Sequence, residues 1–153
     1  QMIVLTSNMF GKMISGQISG KNLSGPVGIA KELRDYALEN GTIEQLDKWN
    51  KIYVPNDPSQ ITMVVIDHIG LLKLTKDQPT KKQAIDKMSD ELRYARDFYG
   101  YSPVVVSQFN RSIANPSRIK NGDVEPQLED FADSSTTQND ADVVMALFDP
   151  MRY

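Results

Sequence analysis

Runs of apolar, mostly β-branched residues stand out against a polar background. Residues 62–72 read TMVVIDHIGLL, residues 103–111 read PVVVSQFNR, and residues 130–148 read DFADSSTTQNDADVVMALF, ending on the run Val143 to Phe148. Continuous apolar runs bounded by polar residues predict strands buried on both faces of a parallel sheet. Met2 to Leu5 predicts a further strand. Pro103 opens its strand, where a missing N–H does least harm. Strands are thus expected at 2–6, 61–66, 103–107 and 143–148.

Between the strands the period changes to that of a helix. Over 81–99, Ile85, Met88, Leu92, Ala95 and Tyr99 follow one face, with Lys82, Asp86, Asp90 and Arg93 outside. Thr80 and Gln83 form a capping box, and Gly100 closes the helix. A second helix is expected over about 26–40, where Ser24 or Gly25 can cap, Pro26 suits the first turn and Gly41 the exit. Ile29, Leu33 and Tyr36 or Ala37 share its apolar face. Strand, helix and strand from 61 to 107 make a right-handed crossover between parallel strands. Segments 7–23, 41–60 and 108–127 read as irregular, with a helical turn near 128–133. Trp49, with Leu46 and Tyr53, is expected to anchor the 41–60 excursion on the core; the sharper alternative is an exposed platform for a nucleic-acid base. Met88 and Met145 read as core filling.

A parallel sheet offers its functional groups at the carboxyl ends of its strands. Asp67 ends one run and can hold a Mg²⁺ shell against a nucleotide phosphate, the Walker B arrangement. An acid in that place serves equally well as a turn former or helix cap. Ser107 and Gln108 end another run, and a Gln there can hydrogen-bond a terminal phosphate or an attacking water. His68, the only histidine, suits packing or a hydrogen bond better than acid–base work. Asp140 and Asp142 would point the same way before a strand and could bind a cation, cap or solubilise. Loop 108–127 carries Arg111, Arg118 and Lys120, a modest positive cluster or a solvated loop.

The 153 residues, 40% of them apolar, suit one domain. A net charge of −3 argues against a uniformly basic nucleic-acid binder but leaves room for a local basic loop. With no cysteine, disulfides and thiolate metal sites are excluded. No stretch approaches the roughly 18 apolar residues of a membrane span, so no membrane partner is expected. QMIVLTS lacks the charged leader and long apolar core of a signal peptide, and its abrupt start in a strand suggests a piece of a longer protein.

Taken in order, VVIDH, PVVVSQFNR and the polar stretch closing on QNDADVVM resemble the RecA-like ATPase domain of DnaB-like replicative DNA helicases, over roughly residues 61–149. The resemblance implies an α/β fold: a RecA-like, mostly parallel sheet flanked by helices. The fold would be incomplete, lacking the Walker A segment and the C-terminal strands, with residues 1–153 forming a single partial domain. It implies an ATP-dependent helicase that unwinds duplex DNA during replication by moving on single-stranded DNA. ATP and Mg²⁺ would be its cofactors, and a homo-oligomeric ring, usually a hexamer, its assembly. Primase or a helicase loader would be further partners, in the cytoplasm of a bacterium or phage-infected cell. Asp67 would hold the metal and serve hydrolysis, Ser107 and Gln108 would meet the nucleotide, and Gln108 would sense the γ-phosphate. Arg111, Arg118, Lys120, Ser134 and Ser135 would contact DNA, with Thr136 and backbone amides beside them.

Several family letters are changed. Neither Gly11-Lys12 nor Gly20-Lys21 has the spacing of a Walker A loop, which must close around a phosphate. Asn8, in LTSNM, falls where the family has a Glu that activates water, and an amide cannot take that proton. Ala132 and Ser135 stand where the family's DNA loop usually carries Arg and Gly. The chain alone is therefore expected to be inactive. The rival readings are a RecA-like recombinase and a RecA-fold assembly subunit that has lost hydrolysis.

Overall fold

A computed structural model of the chain describes residues 25–110, 113, 115–123, 125–131 and 135–149, with the backbone alone at 2–6 and 135–136. In chain order the elements are β1 (Met2–Thr6), α1 (Pro26–Glu39), β2 (Gly41–Gln45), β3 (Lys51–Pro55), β4 (Met63–Asp67), α2 (Lys81–Tyr99), β5 (Ser102–Val105), α3 (Pro116–Asn121) and α4 (Ser135–Asp140). Single 3-10 turns occupy Ile69–Leu71 and Leu128–Asp130. The Gly-Lys pairs and Asn8 lie outside the described residues.

The apolar runs pair as parallel strands in the order β1-β4-β5. Val65 stands opposite Val4 on one side and Val104 on the other. α2 makes the crossing from β4 to β5, and its ends follow from its sequence. The Thr80 hydroxyl accepts from the Gln83 N–H at 3.3 Å, and Gln83 Oε1 accepts from the Thr80 N–H at 3.1 Å. Gly100, at φ +72°, takes the left-handed turn that ends the helix. Ile85, Met88 and Leu92 of α2 meet Ile29, Leu33 and Ala37 of α1 over the Val64 and Ile66 face of the sheet. Each large apolar side chain buried there contributes about 1.5–3 kcal/mol. The other face is open among the described residues: Met63 and Val104 keep 39% and 40% of their exposure, so burial on both faces does not hold.

Segment 41–60 is not irregular. β2 and β3 form an antiparallel hairpin with Ile43 opposite Tyr53. Its turn is closed by the Asp47 carboxylate, which accepts from the N–H groups of Trp49 at 2.8 Å and Asn50 at 2.9 Å. Tyr53 reaches the core, donating its hydroxyl to the Ala37 carbonyl at 2.9 Å and meeting the Tyr99 ring edge-on at 5.4 Å. Trp49 and Leu46 do not anchor anything: they sit at the hairpin tip, 82% and 61% exposed. The Lys48 ammonium lies 4.9 Å from the centre of the indole.

The run from Val143 to Phe148 is a second correction. No strand forms there among the described residues, and Val143, Met145 and Leu147 are 74%, 79% and 94% exposed. A strand needs a neighbouring strand edge to pair with. The chain enters this run with Asp140 and Asp142 fastened to α2, on the helix layer instead of beside the sheet.

Candidate functional site at the carboxyl ends of the strands

Register decides which groups meet. Thr6 stands opposite Asp67 at the ends of β1 and β4. Beyond β5 the ladder continues: the Val106 N–H donates to the Ile66 carbonyl at 2.9 Å, and the Ile69 N–H donates to the Val106 carbonyl at 3.0 Å. These bonds bring Asp67, Ser107 and Gln108 to one end of the sheet. Asp67 and Gln108 are exposed, and no described residue pairs with the Asp67 carboxylate. The Asp67–His68 peptide is cis, and His68 Nδ1 is buried without a hydrogen-bond partner. The Ser107 hydroxyl donates to the Gln108 carbonyl at 3.4 Å, a long contact.

One unpaired carboxylate at a strand end suits Mg²⁺, which keeps several waters and takes its other ligands from phosphates. Among the described residues no group of three or more His, Cys, Asp or Glu side chains could form an all-protein cage. Asp67 is thus the residue that could hold such a metal.

The chain after Gln108 is tied down at once. Phe109 bridges Phe131, their rings 5.0 Å apart. The Asn110 N–H donates to the Asp130 carbonyl at 2.6 Å, and its side-chain amide donates to the Glu129 carbonyl at 3.1 Å. Asn115 caps α3 by accepting from the Ser117 N–H at 3.0 Å. Arg118, expected as a free cation for DNA, is occupied within the chain. Its guanidinium donates to Asp130 Oδ1 at 2.5 Å, to the Asp123 carbonyl at 3.0 Å and to the Glu125 carbonyl at 3.2 Å. Lys120 is exposed on α3. Arg111 and Ser134 lie outside the described residues, and Ser135 opens α4.

Asp130 is a residue that sequence reasoning missed. It is 2% exposed, and its second oxygen accepts from the Gln127 N–H at 2.8 Å. The signal was present as Gln127 and Asp130 three apart, a capping box around the 3-10 turn. The Arg118 guanidinium, then the Gln127 amide, hold the Asp130 carboxyl below the usual carboxylate range, outweighing its burial. A depressed acid contributes stability above its unfolded value of 3.8 and loses it as pH falls through the lower folded value. The thermal midpoint should therefore drop between about pH 5 and pH 3 by less in Asp130→Asn than in the parent. Equal drops in the two proteins would remove Asp130 from the acid response.

Asp140 and Asp142 do not face a vacant cation site. The Ser89 hydroxyl donates to Asp140 Oδ2 at 2.7 Å, and Arg93 lies 3.5 Å from Asp140 Oδ1. The Arg96 guanidinium donates to the Asp140 carbonyl and to Asp142 Oδ2, each at 3.2 Å. The pair instead serves an internal ion-pair role, which none of the readings drawn from the sequence named.

Comparison with known proteins places the chain in one family. No curated protein matches the chain. Among solved structures, the fold is similar to a DnaB-like replicative helicase determined together with its interactions with primase, at 21% identity and a TM-score of 0.52. That match covers 78% of this chain and 23% of the helicase chain, so this chain spans under a quarter of that protein. The DnaB-like helicase C-terminal domain family matches residues 13–153, nearly the whole sequence. The chain therefore belongs to the DnaB-like helicase C-terminal domain family.

Proposed function

We propose that this chain is part of the motor of a replicative DNA helicase. The parent protein hydrolyses ATP with Mg²⁺ at the subunit interfaces of a homo-oligomeric ring, a hexamer, and unwinds duplex DNA by moving on one strand. The observation that carries the reading is the juxtaposition of Asp67, at the end of β4, and Gln108, just beyond the neighbouring β5, at one end of a parallel sheet in a chain of this family. Mg²⁺, when bound, neutralises charge that develops on the transferring phosphoryl group. Asp67 orients the water shell of that metal. Gln108 senses the terminal phosphate, with Ser107 beside it. The Phe109–Phe131 bridge ties the backbone after Gln108 to the start of segment 130–142, whose Ser134 and Ser135 meet DNA together with Arg111 and Lys120. Residues 1–153 form one partial domain in this reading, and primase or a loader joins the ring in the cytoplasm of a bacterium or phage-infected cell. Among the described residues no helix is long and apolar enough to cross a membrane.

The family match favours this reading over a recombinase. The test is ATP turnover by the full-length parent with and without single-stranded DNA, alongside strand separation. Gln108→Ala should keep the DNA-free rate and lose the stimulation by DNA, a coupling worth roughly 5- to 150-fold in systems of this kind. Stimulation equal to that of the parent would reduce Gln108 to a strand-end residue. A parent that binds ATP without turning it over would favour the hydrolysis-deficient assembly subunit, the role to which Asn8 points.

A further inference from the structure

Ser89, Arg93 and Arg96 follow one another on α2 at spacings of four and three residues, so they share one face of the helix. That face carries α4. Ser89 is 5% exposed, and the Asp140 side chain that accepts its hydrogen bond is 19% exposed. Ion pairs in open solvent hold little. A buried hydroxyl bonded to a mostly covered carboxylate is a different matter, because parting them strands a polar group away from water. Arg93 and Arg96 brace the outside of that bond, and Arg96 also takes the Asp140 carbonyl at the end of α4. At the other end of the same segment Asp130 is fastened by Arg118. α2 in turn joins the strand that ends on Asp67 to the strand that leads to Gln108.

We infer that Asp140, seated on Ser89, Arg93 and Arg96, is a positioning residue for DNA binding: it latches α4 to α2 and gives the DNA-facing segment a fixed base on the helix layer. The inference rests on the proposal that this segment meets DNA. Asp140 itself touches neither nucleotide nor strand.

The experiment uses the full-length parent with a fluorescent oligo-dT and a non-hydrolysable ATP analogue. Binding is read by anisotropy, and DNA-free ATP turnover is measured in parallel. Asp140→Ala should weaken oligo-dT binding by about tenfold, within the range of such couplings, while DNA-free turnover stays as in the parent. Asp140→Asn keeps an oxygen for the Ser89 hydroxyl and should recover most of the lost affinity. Faster hydrogen exchange over residues 135–142 in Asp140→Ala, and not in Asp140→Asn, should accompany the loss. Unchanged oligo-dT binding by Asp140→Ala overturns the latch. So does a parallel fall in DNA-free turnover, which marks a merely structural role. A parent that fails to bind oligo-dT at all removes the helicase reading, and the latch with it; a parent that binds beside variants that bind equally removes the latch alone.

Discussion

Asp67→Ala in the full-length parent is expected to cut ATP hydrolysis by about 10- to 100-fold, the scale seen when a group that orients a metal's ligands is removed. The thermal midpoint should hardly move. Asp67 is exposed, and no described residue pairs with its carboxylate, so the fold does not depend on it. Its place at the end of β4 is secured by backbone bonds that the substitution leaves intact. The measurement is steady-state phosphate release with Mg²⁺, paired with thermal unfolding. Hydrolysis near the parental rate would end the Walker B assignment. Loss of hydrolysis together with a large fall in the midpoint would mean that Asp67 acts on the fold.

Gly41→Ala should have the opposite profile, damaging the fold without touching the chemistry. A Cβ at Gly41 would stand 2.5 Å from the Val54 carbonyl oxygen and 2.5 Å from the Tyr53 hydroxyl. The carbonyl belongs to the β3 backbone and cannot swing aside. The Tyr53 hydroxyl could move only by giving up its bond to the Ala37 carbonyl and its edge-on contact with Tyr99. Overpacking of this kind costs about 1–3 kcal/mol, and the backbone clash argues for the upper end. The denaturation midpoint of the purified parent would read the loss. A midpoint unchanged in Gly41→Ala would mean that the hairpin seats less tightly on α1 than these distances require.

What could be read from the letters, and what could not, divides along sequence distance. α2 was legible to the residue, because its capping box, apolar period and terminal Gly100 all lie within the helix or against its ends. The pairing of β4 with β5 followed from two valine-rich runs and one helix between them. The β2–β3 hairpin was not legible. Its strands are only five residues each, and its turn rests on the Asp47 side chain and lacks the Asn-Gly pair that usually announces one. Trp49 was misread for a related reason: a large aromatic residue suggests a core, but a rigid turn can carry it clear of one. The placement of Asp67 and Gln108 at one end of the sheet was legible because strand ends are predictable. Arg118 could not be told from a solvated cation, since its partner Asp130 is twelve residues away. The link between Ser89 and Asp140 spans 51 residues, and no local pattern announces it.

The hairpin tip has a practical consequence. Trp49 is the only tryptophan in this sequence, and it stands in water on a turn that its own Asp47 holds rigid. Its fluorescence from this chain is therefore a beacon at the tip and is blind to the core, whose packing is reported by the ultraviolet signal of Tyr53, Tyr99 and Tyr101. A blue shift in tryptophan emission would register whatever comes to cover the hairpin, while the tyrosines register whether the domain beneath it is folded.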